Sequence, residues 1–155
     1  MKQSLYLLTV LLSIVLVEGP ARADFERSSE KPKSAKFEAG RKAVEAKDFK
    51  AAVGLLTQAA RETPKDADVE NLLGYSYRKL GQYDKALEHY QAALKLDPGH
   101  RGAHEYMGEL YLETDRLADA ENELKALSKA CPWFGRCEEY EDLKGEIEKY
   151  KAKKK

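Results

Sequence analysis

The chain has 155 residues, with 27 Lys and Arg against 27 Asp and Glu, three His and two Cys. A formal charge of zero gives no global basic excess of the kind nucleic-acid binding calls for, and only the end from Lys149 to Lys155 looks like a basic stripe. With no Gly-rich phosphate loop, no nucleophile elbow and no His-Glu-x-x-His helix, the sequence also offers little from which to build a catalytic constellation, a metal site or a cofactor site.

Reading from the N-terminus, Lys2 precedes an apolar segment from Leu5 to Val17, followed by Gly19-Pro20 and then by Ala21-Arg22-Ala23. A positive start, a short apolar stretch and a small-x-small triplet are the layout of a secretory signal peptide. Residues 1–23 are therefore predicted to direct export and to be cleaved after Ala23. Thirteen residues from Leu5 to Val17 fall short of the roughly 20 that span a hydrocarbon core. The mature protein is expected in an exported compartment, most simply a Gram-negative periplasm, with no stable insertion in the membrane. The alternative is an uncleaved anchor, since Glu18 and Arg22 are atypical of a cleavage region. Loss of Lys2 and Arg22 against Glu18 leaves 25 basic and 26 acidic side chains, so export does not create a basic protein. Residues 24–32, with mostly polar residues and one Pro, read as a flexible lead-in.

From residue 33 the chain repeats itself with a period of 34. Gly40, Gly74 and Gly108 stand one period apart, as do Ala52, Ala86 and Ala120, then Leu56, Tyr90 and Leu124, then Pro64, Pro98 and Pro132. Self-similarity at a fixed period signals a repeat architecture, here with units 33–66, 67–100 and 101–134. In the middle unit Val69, Leu72, Leu73, Ser76, Tyr77 and Leu80 recur at helical spacing. Gly81 breaks the pattern, and a second helical run from Tyr83 halts at Asp97-Pro98-Gly99. Each unit is thus a helix, a tight turn and a second helix. Gly74 and Ala86 lack bulk where the two helices would cross closely; a mid-helix Gly costs about 1 kcal/mol relative to Ala, which close packing is expected to offset. Pro98 has no amide proton and ends the second helix.

The middle unit resembles the tetratricopeptide repeat, a 34-residue helix-turn-helix, through Leu73-Gly74, Tyr77, Gly81, Ala86, Tyr90, Ala93 and Pro98. The third unit keeps Met107-Gly108, Tyr111, Ala120, Leu124 and Pro132 with Asp115 at the turn. The first keeps Gly40, Ala52, Leu56, Ala59 and Pro64 and has Ala43 where the others have Tyr. The resemblance implies an all-α helical-hairpin solenoid of three such units. It also implies a groove lined by the first helices, with the fifth, ninth and twelfth positions of each unit pointing into it. Here those are Phe37, Arg41 and Val44, then Asn71, Tyr75 and Arg78, then Glu105, Glu109 and Leu112. Such a groove would be basic and aromatic at first and acidic at its end. It suits an extended peptide of mixed charge, Tyr and Arg being common binding anchors; the alternative is that these are merely solvated helix faces. Chaperone-binding members of the family carry a Lys/Asn/Arg clamp for a terminal carboxylate, which Phe37, Glu105 and Tyr106 do not reproduce.

Cys131 and Cys137 bracket the turn after the third unit, and an even count in an exported chain argues for a disulfide staple. A redox-active pair and a pair of metal ligands are the competing readings, although the spacing is neither Cys-x-x-Cys nor a haem-attachment motif. In residues 135–155, Tyr140, Leu143, Ile147 and Tyr150 form one narrow apolar stripe on a charged helix, as a solenoid cap requires. The lysines of Lys149 to Lys155 read as a frayed terminus. The C-terminal layout also resembles small exported repeat proteins of proteobacteria. Of the histidines, His89 is expected to face solvent, and His100 and His104 to cap and pack rather than bind metal. Tyr75 and Tyr106 have no packing position in the repeat pattern. The reading that follows is a non-catalytic scaffold binding a peptide or partner protein. A self-assembling structural protein, able to form homo-oligomers, is one alternative. A redox or metal-handling accessory built on Cys131, Cys137, His100 or His104 is another.

Overall fold

The computed structural model describes residues 33–132 and 136–154; the predicted signal peptide and lead-in lie outside them. The described residues form seven α-helices and no strand: α1 (Ala35–Glu45), α2 (Phe49–Glu62), α3 (Ala67–Lys79), α4 (Tyr83–Leu96), α5 (Arg101–Glu113), α6 (Leu117–Ala130) and α7 (Glu138–Lys153). The fold is an all-α solenoid in which α1 packs on α2, α3 on α4 and α5 on α6, and each pair packs on the next.

Local chemistry sets the helix ends. Ser34, Asp48 and Asp66 accept from the first-turn amides of α1, α2 and α3, satisfying donors that have no intrahelical partner. At α5 the cap is a histidine: His100 Nδ1 accepts from the Ala103 amide at 3.1 Å, which leaves Nε2 to donate to Asp68 at 3.0 Å. Asp68 and Asp66 also hold Lys33, so one chain of charges ties the N-terminal ends of α1, α3 and α5. His100 and Lys33 together keep the Asp68 carboxyl below its usual range.

The turn inside each hairpin uses the same backbone device. Lys47, Gly81 and Asp115, one period apart, all adopt left-handed φ of 59°, 72° and 59°. The amide that follows each one bonds back to the carbonyl of Ala43, Tyr77 or Tyr111, closing the helix end. Glycine takes this conformation without strain, so the middle hairpin has the easiest turn and the other two carry a penalty.

The repeated small residues work as the spacing predicts. A Cβ on Gly40 would lie 2.7 Å from Leu56, and one on Gly74 would lie 2.6 Å from the ring of Tyr90. The third unit differs. Gly108 is met by Leu143 of α7, at 2.5 Å, and Leu124 is only partly buried. The reason is that α7 packs on α5 as well as on α6, which drives Leu143 into the space Gly108 leaves. Leu143 and Ile147 are buried, with Tyr140 and Tyr150 packed beside them.

Two further expectations are corrected. The basic terminus is not frayed through its described length: α7 continues to Lys153, Lys151 pairs with Glu121, and the Tyr150 hydroxyl and Lys154 both reach Asp115 at 2.8 and 2.9 Å. His89 does not face solvent freely. It is half-buried, stacked 5.2 Å from the Tyr77 ring, with Nδ1 2.7 Å from Glu70. Cys131 ends α6 and Cys137 precedes α7; the structure pairs them, with Cα atoms 5.7 Å apart.

Candidate functional site

The face formed by α1, α3 and α5 carries two open cavities. The first, about 510 Å³, lies over Val44, Phe49, Leu72, Tyr75, Lys79 and Tyr106, with Glu45 and Lys47 at its edge. Its aromatic side chains form a row: the Tyr75 ring is 4.8 Å from Tyr106 and 6.0 Å from Phe49, all within the range for aromatic pairs. The second cavity, about 450 Å³, is walled by Glu109, Leu112 and Glu113 of α5 and by Glu146, Lys149, Tyr150 and Lys153 of α7. Lys79 lines both.

Only some of the residues expected in the groove are available there. Tyr75 and Val44 line the first cavity, and Glu109 and Leu112 the second. Phe37 is instead buried in the core cluster that holds Leu56 and Leu73. Arg41 is held on its own helix by Glu38 and Glu45. Asn71 is buried beside Gly102, with its Oδ1 unpartnered.

Arg78 is the largest departure from expectation. Its side chain is 1 % exposed, with the guanidinium carbon 5.5 and 5.7 Å from the ring centres of Tyr75 and Tyr106. Nη1 donates to Glu113 at 3.1 Å, and Nη2 lies 2.5 Å from Glu109. The guanidinium thus joins α3 to α5 and is spent on the fold. The repeat pattern assigns no groove position to Tyr106, Phe49, Lys79 or the α7 wall. One signal was present, since Lys79 and Glu113 directly follow the twelfth position of their units.

Glu105, expected to be an exposed acid, is buried under α7. Burial, with Glu109 on its own helix and Asp142 and Glu139 on α7, pushes its carboxyl up to about 8, against the opposing pull of Arg78. The folded protein therefore keeps this proton to about pH 8, whereas the unfolded chain loses it near pH 4.5. A raised carboxyl costs nothing below the lower value, and stability falls as pH rises between the two and levels above the higher. Glu105→Gln should remove that decline. The variant is expected to match the parent near pH 4 and to exceed it increasingly up to pH 8, by on the order of 2 kcal/mol after allowing for solvent screening. Denaturant titrations at several pH values measure this; a difference that does not grow with pH would refute it.

The described residues contain no group of three or more His, Cys, Asp or Glu arranged to hold a metal ion. His100 and His104 face different partners: His104 is buried, with Nδ1 2.6 Å from Glu123 and Nε2 3.0 Å from the Pro98 carbonyl oxygen, and Glu123 raises its pKa.

The family model of the tetratricopeptide repeat matches residues 67–100. This middle unit is a tetratricopeptide repeat. Solved tetratricopeptide structures share the fold of the chain. The type III secretion translocator chaperone SycD of Yersinia enterocolitica superposes with a TM-score of 0.68 at 19% identity, covering 77% of this chain and 83% of that one. The TPR2B domain of yeast Sti1, solved in complex with pHsp70, gives 0.69 at 18% identity over 77% and 99%. MamA of Desulfovibrio magneticus RS-1 gives 0.60 at 25% identity over 64% and 56%. Comparison with curated protein sequences gives no significant match.

Proposed function

We propose that this protein is a non-catalytic scaffold that docks a peptide or partner protein in the groove of α1, α3, α5 and α7. The observation that carries this reading is the aromatic row Phe49, Tyr75 and Tyr106 beside an open cavity of about 510 Å³. Partly exposed aromatic side chains held rigid by their neighbours are what binding anchors consist of. Proteins of the same fold support it: the structures of similar shape include the yeast complex with pHsp70 and the first repeat domain of RPAP3 bound to an HSP90 peptide.

The test uses a partner recovered by cross-linking in the native compartment. Tyr75→Ala is expected to weaken that partner by about tenfold or more, with helix content unchanged. Glu88→Ala, on the exposed side of α4, should leave affinity nearly intact. The opposite pattern would move recognition to the outer surface.

The setting proposed for this activity is an exported one, on the signal-like pattern of residues 1–23. No helix among the described residues is long and apolar enough to cross a membrane. Material isolated from the exported fraction should begin at or near Asp24 and should have Cys131 and Cys137 closed to alkylation until reduced. An intact Met1, or two freely alkylated thiols, would count against the respective half of the proposal.

A further inference from the structure

We infer that the groove selects an acidic segment bearing an aromatic or large aliphatic side chain, and that α7 is one wall of the site as well as its cap. The inference rests on the docking function proposed above and adds the chemistry of the occupant.

The apolar requirement comes from the first cavity. Val44, Phe49, Leu72, Tyr75 and Tyr106 leave an open apolar hollow on a face that is otherwise charged. Filling it with one aromatic or branched side chain removes apolar surface from water on both partners.

The charge requirement comes from which groups already have a partner. Sequence alone puts carboxylates at the far end of the groove. The fold cancels most of them: Glu45 is bound by Arg41, Glu146 by Lys149 at 2.7 Å, and Glu109 and Glu113 share the guanidinium of Arg78. Arg41 is likewise shared, with Glu38, so the two shared guanidiniums leave an excess of two carboxylates. Against it, Lys47, Lys79 and Lys153 have no carboxylate within ion-pair distance among the described residues. Lys47 and Lys79 both line the first cavity, and Lys79 and Lys153 both line the second. Asp142 and Glu139 flank the buried Glu105 and line neither cavity. The free charge facing an occupant is therefore positive, although the whole chain is neutral. Exposed cations of this kind favour an acidic partner mainly through encounter rate and register, and salt screens them.

The cavities run along the groove and do not close around a chain end, so an internal stretch satisfies them. The probes are three fluorescein-labelled, C-terminally amidated decapeptides: one of Glu with two Phe, one of Lys with two Phe at the same places, and one of Glu with two Ala. Anisotropy titrations should show the Glu/Phe peptide binding about tenfold tighter than either of the others, with affinity falling as salt rises from about 50 to about 300 mM. The double variant Lys79→Glu/Lys153→Glu should prefer the Lys/Phe peptide. Both side chains are exposed, so circular dichroism should report an unchanged fold. Equal or better binding of the Lys/Phe peptide to the parent protein, abolished by Tyr75→Ala, would overturn the charge assignment and leave the docking reading standing. Binding that ignores Tyr75→Ala, or no binding of any of the three, would overturn the inference; a native partner also indifferent to Tyr75→Ala would sink the docking reading with it.

Discussion

Arg78→Ala is expected to lower folding stability by about 3–4 kcal/mol, read as a clear drop in the denaturation midpoint at neutral pH. The side chain is 1 % exposed, and it bridges two units by pairing with Glu109 and Glu113 of α5 from α3. Truncation removes the cation from beside the Tyr75 and Tyr106 rings and opens a gap in the seam. It also leaves the partly buried Glu109 without its counter-charge and beside Glu105. Arg78→Met, which keeps most of the volume and removes the buried charge, should lose distinctly less. An Arg78→Ala midpoint within about 0.5 kcal/mol of the parent would mean that the seam is held by apolar packing alone. The same prediction explains why Arg78 is a poor probe of binding: a loss of affinity in that variant would report a loosened groove.

How the sequence hides this is instructive. The period of 34 is legible because the first helix of each unit needs a bare backbone where another helix crosses it, its hairpin partner at Gly40 and Gly74 and α7 at Gly108, and a missing side chain leaves a mark in the letters. Turn geometry is legible for the same reason at Gly81, and only by register at Lys47 and Asp115. A buried Arg leaves no such mark. Its burial depends on Tyr106, Glu109 and Glu113, which lie on the next unit, so no local pattern distinguishes it from a solvated cation. The aromatic row is hidden likewise, because Phe49, Tyr75 and Tyr106 come from three different helices. The histidines stand between these cases. Glu70 with His89 and His104 with Glu123 occupy the same two places of successive units with the residue types exchanged, a signal of inter-helix pairing that spacing does carry.

Leu143→Ala should cost about 3 kcal/mol, and the loss should depend on Gly108. Leu143 is fully buried, and its side chain occupies the space a Cβ on Gly108 would need, 2.5 Å away. Removing it leaves a cavity between α5 and α7 that the helices close only in part. Gly108→Ala alone should also destabilise, by about 1–3 kcal/mol, because the new methyl overlaps Leu143 and forces α7 outward. In the Leu143→Ala background that methyl meets open space, and a mid-helix Ala is favoured over Gly by about 1 kcal/mol, so the double variant should recover part of the loss. A double-mutant cycle from denaturant midpoints is therefore expected to give a coupling of at least about 1 kcal/mol. Additive effects would mean that α7 does not seat Leu143 on Gly108. The cycle also bears on recognition, since Lys149, Tyr150 and Lys153 ride on the same helix. A loosened α7 should weaken binding of the Glu/Phe peptide in Leu143→Ala, and Gly108→Ala added to that variant should restore part of it.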